Sequence, residues 1–252
     1  MRRTAAFRPR RLARSLAPVA ALALVSALVA GCGDDGDSDA DDNEDTAEGT
    51  VEVGPFSADQ ITQAVLQPDN LGEGWTSEPA TDDDEEAPGC LADVDTLTEG
   101  LAEKDKGGTS FSYPEALTVE STVSAYAEEI GVAAVFDQVQ TALAACSLIE
   151  GPDSDGNIWD VDLTVSDEAV YDDVDDQYGI SGAGTLTTSD GTAYDIYIEQ
   201  TAVRLGPNVA TVTTTDLQSR TSEHAVWTEI AVERLLDVAE GEEPEATTAP
   251  AP

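Results

Sequence analysis

The sequence predicts an α+β domain, a twisted antiparallel β-sheet with helices packed on one face. Three observations predict it. Several runs alternate apolar and polar residues with the period of two that marks a half-buried strand. Other segments repeat apolar residues at helical spacing. The strand-like runs follow one another with short turns rather than alternating regularly with helices, which favours antiparallel pairing.

Ser57 is placed to cap a helix, and Gln60, three residues on, completes a capping box. Ile61, Val65 and Leu66 form the apolar edge of that helix, and Pro68 is read as its stop. The segment Leu66 to Trp75 is a turn-rich corner. An acidic loop, Thr81–Glu86, leads to Cys90, and a short helix is expected around Leu91–Leu101. Leu117, Val119, Val123 and Ala125 then alternate with polar residues as a strand. Residues 131–146 carry Val132, Val135, Phe136, Val139 and Leu143 at helical spacing, the clearest amphipathic helix in the chain.

Four further strands follow. Trp159, Val161, Leu163 and Val165 mark the first; Tyr178, Ile180 and Leu186 the second; Tyr194, Ile196 and Ile198 the third. Asp190-Gly191 is a hairpin turn between the second and third. Gly206-Pro207-Asn208 turns the chain into the fourth, near Val209–Thr215. A last helix starts near Ser222, with Trp227, Ile230, Ala231, Leu235 and Val238 on one face. The strands carry a polar second face, which is either solvated or one wall of a cleft.

The chain ahead of this domain is read as a leader and a tether. Residues 1–31 hold six arginines and no acidic residue, followed by an apolar stretch from Leu16 to Ala30. That stretch is shorter than the ~20 residues of a membrane span, and the small residues before Cys32 suit a peptidase. Leu28-Val29-Ala30-Gly31-Cys32 resembles a bacterial lipobox, which implies that Cys32 is lipidated and begins the mature protein. A membrane partner, reached through that lipid anchor, and an extracytoplasmic location follow. Residues 32–55 are too acidic and too poor in apolar groups to fold, so they are read as a disordered acidic N-terminal tether. Residues 56–240 form the domain, and 241–252 are read as a disordered tail.

All 52 acidic residues lie beyond Cys32, against five basic ones. Such a surface repels nucleic acid, which excludes a DNA- or RNA-binding role. Solubility, a monomeric state and adaptation to salt account for the charge, with recruitment of a cation or a basic partner as the sharper alternative. With Cys32 lipidated, Cys90 and Cys146 remain. In an exported chain they most simply form one disulfide, the alternative being two separate free thiols.

Four short segments carry a family resemblance: Leu71-Gly72-Glu73-Gly74-Trp75, Pro88-Gly89-Cys90, Val119-Glu120-Ser121 and Ala142-Leu143-Ala144-Ala145-Cys146. Over roughly residues 57–240 the chain resembles the extracellular sensor-type domains of actinobacteria, the PknH-like group carried on receptor Ser/Thr kinases and on lipoproteins. The resemblance implies an α+β fold around an antiparallel sheet, disulfide bonding and a groove that takes a ligand. Kinase-linked members have a second disulfide, for which this chain has no cysteines. No kinase domain is present, so kinase activity does not carry over.

No catalytic residues are assigned, and no cofactor or metal is implied. His224 is the single histidine and is read as an exposed helical residue rather than a triad member. Carboxylate pairs are too numerous to point to a hydrolase. Asp153-Ser154-Asp155-Gly156-Asn157 is a turn rather than an EF-hand loop, because its glycine is misplaced and no closing glutamate follows. Asp172, Asp173, Asp175 and Asp176 are read as coating a solvated loop. Trp75, Trp159 and Trp227 belong to the core. Tyr197 falls opposite the apolar face of its strand and is the single candidate ligand-binding residue. The expected function is a non-enzymatic, lipid-anchored sensor-like protein binding a small molecule or an envelope or protein partner. The alternatives are a structural envelope protein without a small ligand, and a secreted hydrolase.

Overall fold

The computed structural model describes residues 53–80, 88–98, 100–114 and 116–252. Cys32, the leader, the tether up to residue 52 and the acidic loop lie outside them. The elements run α1 (Ala58–Ala64), α2 (Pro68–Leu71), β1 (Thr76–Pro79), α3 (Leu91–Thr98), β2 (Glu103–Ser112), β3 (Thr118–Tyr126), α4 (Glu129–Ala145), β4 (Leu148–Pro152), β5 (Ile158–Ser166), β6 (Asp176–Thr187), β7 (Ala193–Leu205), β8 (Asn208–Asp216) and α5 (Thr221–Glu240).

The strands form one antiparallel sheet in the order β1-β2-β3-β8-β7-β6-β5-β4. Two meanders meet where β3 pairs with β8. The expected α+β class is therefore found, with one difference of layering. Helices cover both faces of the sheet, not one. The topology explains why. The chain leaves β3 in the sheet's interior and re-enters at the far edge as β4, so α4 between them must cross one face. Its Phe136, Val139 and Leu143 pack on Val161, Leu163, Tyr178, Ile180, Ile196 and Ala202.

Residues of opposite parity point the other way, as the pleat requires. Val203 and Leu205 pack with Val232, Leu235 and Val238 of α5 and with Ile61, Ala64 and Val65 from the α1 region. A third cluster joins Leu66, Leu71, Phe111 and Val119 to Trp227 and Ile230.

The capping box on α1 forms, with Ser57 Oγ accepting from Gln60 N–H and Gln60 Oε1 from Ser57 N–H. Pro68 does not end this helix directly. α1 stops at Ala64, and Pro68 opens the next turn as the first residue of α2, where its missing N–H costs nothing. Arg234 closes the C-terminal end of α1 by donating to the carbonyls of Val65 and Gln63. Gly191 takes φ +85° in the turn joining β6 to β7, which is what an Asp-Gly hairpin needs.

Cys90 and Cys146 form the expected disulfide, with Cα atoms 5.8 Å apart. It ties the segment ahead of α3 to the end of α4.

Both flanks of the domain reach further than the sequence suggests. Gly54 is already pinned: its carbonyl accepts from Asn208 Nδ2, and Phe56 N–H donates to Asn208 Oδ1. The expected disordered tail at 241–252 requires a correction too. It is laid against α2, where Asn70 Nδ2 donates to Thr247 O, Ala249 N–H donates to Asn70 O, and Thr248 Oγ1 donates to Asp69 O. Ala249 is buried in the cluster around Trp227. Composition alone missed this because a backbone ladder to one asparagine requires almost nothing of the tail's own side chains.

Candidate functional site

Two cavities lie on opposite faces of the sheet. The first is a groove of about 440 Å³ beneath α4. One wall is apolar, from Val132, Val135, Phe136 and Val139 of α4. The other is the polar second face of the strands: Glu120, Thr122 and Ser124 of β3, Thr211 and Thr213 of β8, and Gln200 of β7. The polar residues of β3 and β8 thus line a cleft, while Asp160, Asp162 and Asp195 on β5 and β7 are exposed. Lys106 of β2 and Tyr126 stand at its margin, and Tyr178 contributes its ring. Tyr178 packs on Phe136 with centroids 5.0 Å apart. Burial drives the Tyr178 hydroxyl up to about 12, so it is a neutral donor at any ordinary pH. Burial likewise raises Tyr126.

The second cavity, about 260 Å³, lies between the first turns of α5 and the strands β5–β7. It is lined by Thr164 and Ser166 of β5, Gly179 and Ser181 of β6, Glu199 and Thr201 of β7, and Thr221 and His224 of α5. The β5–β6 loop folds over one side. Gln177 holds it there, accepting from the N–H groups of Val170 and Tyr171 and donating to Tyr171 O.

His224 corrects the expectation of an exposed residue: it is 6 % exposed. Its Nδ1 lies 2.9 Å from Thr214 Oγ1, and its Nε2 lies 3.0 Å from Thr201 Oγ1 and 3.4 Å from Thr228 Oγ1. Burial among these neutral hydroxyls lowers its pKa to about 4, so the ring is uncharged at neutral pH. Both ring nitrogens meet threonine hydroxyls rather than a carboxylate. A Ser-His-Asp arrangement needs a carboxylate on the nitrogen opposite the nucleophile, and that pairing is not made here. The helical pattern contained the signal for burial: His224 shares the inward stripe of Trp227, Thr228, Ala231, Leu235 and Val238.

Glu199 is the residue the sequence reading missed. It is 8 % exposed, with Oε1 accepting from Thr221 Oγ1 at 2.7 Å and from Ser181 Oγ at 3.3 Å. Tyr197 has the same parity on β7 but sits two residues away. It is half-buried and lines neither cavity. Its phase puts it on the same face of β7 as Glu199, outside both cavities.

The acidic runs hold the protein together. Asp175 and Asp176 bind the buried Arg204 at 3.2 and 2.6 Å, and Asp175 also accepts from Gly206 N–H. The loop expected to be merely solvated thus anchors the start of β6 to the end of β7. Asp153 accepts from the N–H groups of Asp155 and Asn157, from Asn157 Nδ2 and from Trp159 Nε1, which fixes the β4–β5 hairpin as the expected turn. Trp227 is in the core as expected, while Trp75 and Trp159 are only partly buried. Among the described residues no cluster of three or more His, Cys, Asp or Glu is arranged to hold a metal ion. No helix among them is long and apolar enough to cross a membrane.

No family model matches the chain, and no curated protein matches it. Solved structures do. The extracellular domain of PknH from Mycobacterium tuberculosis is similar over 75 % of this chain and 99 % of its own, at 12 % identity and a TM-score of 0.50. An uncharacterised protein from Mycobacterium smegmatis covers 70 % of this chain and 95 % of its own, at 13 % identity and a TM-score of 0.36. At such identities the likeness to PknH is one of fold, and it agrees with the resemblance carried by the sequence segments: the chain has the fold of the PknH extracellular domain.

Proposed function

We propose that this chain is a non-enzymatic, sensor-like binding protein of the cell envelope, held at the outer face of the membrane by a lipid on Cys32. The observation that carries the binding reading is the groove under α4. It has one apolar and one polar wall, and its volume lies within the range of small-molecule sites. Such walls suit a compact amphipathic ligand: its apolar side would lie on Val135, Phe136 and Val139, and its polar groups on Thr122, Thr211, Thr213 and Gln200. The resemblance in sequence and the shared fold support the same placement. The lipobox around Cys32 supports the location, and the acidic tether would hold the domain clear of the surface. The neutral His224, saturated by threonines, supports the absence of an acid–base centre.

A thermal-shift screen of envelope-derived small molecules tests the groove, since a ligand that binds only the folded state raises the melting temperature. Thr211→Phe, on the partly exposed polar wall, fills the groove and should abolish the shift while the protein stays folded. A hit that is unaffected by this change would move the site elsewhere. For the anchor, Cys32→Ala should shift the protein from the membrane fraction to the soluble one, and mass spectrometry of the wild type should show an acylated N-terminal cysteine.

A further inference from the structure

The second cavity, on the α5 face, has a composition unlike the groove, and Glu199 is its centre. This carboxylate is more than nine-tenths buried, yet its hydrogen bonds come from two neutral hydroxyls and both fall on Oε1. The three arginines of the domain are committed elsewhere: Arg204 to Asp175 and Asp176, Arg220 to Asp216 and Glu223, Arg234 to the α1 carbonyls. Among the described residues Glu199 has no cationic partner, and its Oε2 accepts no hydrogen bond. Oε2 is the oxygen that still reaches solvent, and a carboxylate this deep is costly to leave without a charge partner.

The cavity beside it shows what would fit. Gly179 leaves its floor bare, since a Cβ there would meet only Gln200 O, at 3.9 Å. Tyr171 and Val170 from the pinned loop add apolar edges, and Thr164, Ser166 and Thr201 add hydroxyls. The space is smaller than sites for drug-sized ligands. His224 borders it as a neutral ring, so it offers no positive charge to compete with a cation.

We infer that this cavity is a second ligand site, specific for a small organic ammonium whose N–H groups bind Glu199 Oε2 and whose short apolar body lies over Gly179 against the β5–β6 loop. The charge balance of the chain favours it, because a strongly acidic surface raises the local concentration of cations. The site is independent of the groove under α4, which lies on the other face of the sheet.

The test is titration of the full chain, purified in detergent, with n-butylammonium chloride, followed by amide spectra. Saturable shifts are expected at Gly179, Thr201 and Ala225, with Thr122 and Val139 of the groove unmoved. Glu199→Gln, which keeps the shape, should weaken binding by about tenfold or more, the scale of one charge-assisted hydrogen bond. Gly179→Val should block the cavity and do the same, and it decides the matter if the glutamine variant does not fold. The inference is overturned if n-butylammonium gives no saturable shifts at these amides, if n-butanol binds as well as the ammonium, if sodium or calcium chloride saturates the same amides and excludes the ammonium, or if the folded variants bind like the wild type. None of these results bears on the groove, whose own residues report on it separately.

Discussion

Thr214 and His224 join the sheet to its longest helix, Oγ1 to Nδ1 at 2.9 Å, with both residues buried. The contact places an ionisable ring in a setting that admits only its neutral form. Its pKa, lowered by burial from 6.5 to about 4, makes the fold sensitive to acid. The unfolded chain takes up a proton below about pH 6.5, and the folded chain resists until about pH 4. The neutral ring's contribution is therefore complete above pH 6.5 and is lost as the pH falls from there to 4. Some 3 kcal/mol is at stake. Denaturant titrations of the wild type and His224→Gln across this range check it: the variant should show a shallower loss. Parallel curves would refute the assignment.

The Cys90–Cys146 bond closes a loop spanning 56 residues that contains α3, β2, β3 and α4. Reduction, or replacement of both cysteines by serine, should cost about 4 kcal/mol in the chain-entropy picture. Chemical denaturation with and without reductant measures it. A change below about 1 kcal/mol would mean that the α3–α4 packing alone holds this region.

Removing residues 246–252 tests the seating of the C-terminal segment. Three hydrogen bonds at Asn70 and Asp69, and the burial of Ala249, would be lost. A loss of about 1–2 kcal/mol is expected, with a change in tryptophan emission because Ala249 shares a cluster with Trp227 and Trp75. An unchanged melting temperature and spectrum would show that the segment does not dock in solution.

Asp153→Ala should destabilise the protein by about 1–2 kcal/mol, because four donors from Asp155, Asn157 and Trp159 lose their acceptor. Calcium should not change the stability of the wild type, since these oxygens are already occupied. Stabilisation by millimolar calcium that the alanine variant loses would reopen the loop as a cation site.

Strands were legible where their two faces differ. Val119, Val123 and Ala125 alternate with hydroxyls and a carboxylate, and the run reads directly as β3. β2 did not announce itself: Lys104, Asp105, Lys106, Gly107 and Gly108 carry no apolar period, and the strand is held by ladders to β1 and β3 and by one buried ring, Phe111. β1 is fully exposed and owes its existence to its pairing with β2. The disulfide followed from cysteine counting. Periodicity showed which residues of β7 face which way but not what covers each face, so nothing singled out Glu199 among the polar residues of its strand. Only the crossing path of α4 and the position of α5 decide that both faces are inside.

Asn208 holds Gly54 and Phe56 at the turn between β7 and β8, with Gly206 so close to Val53 that a side chain on it would collide with the Val53 carbonyl. The N-terminal chain therefore enters at the middle of the eight-stranded sheet rather than at an edge. A pull on the chain ahead of Val53 would load the hairpin that both halves of the sheet share. The edges, which would unzip one ladder at a time, carry none of it. A load applied there would be shared by ladders on both sides of the β7–β8 hairpin.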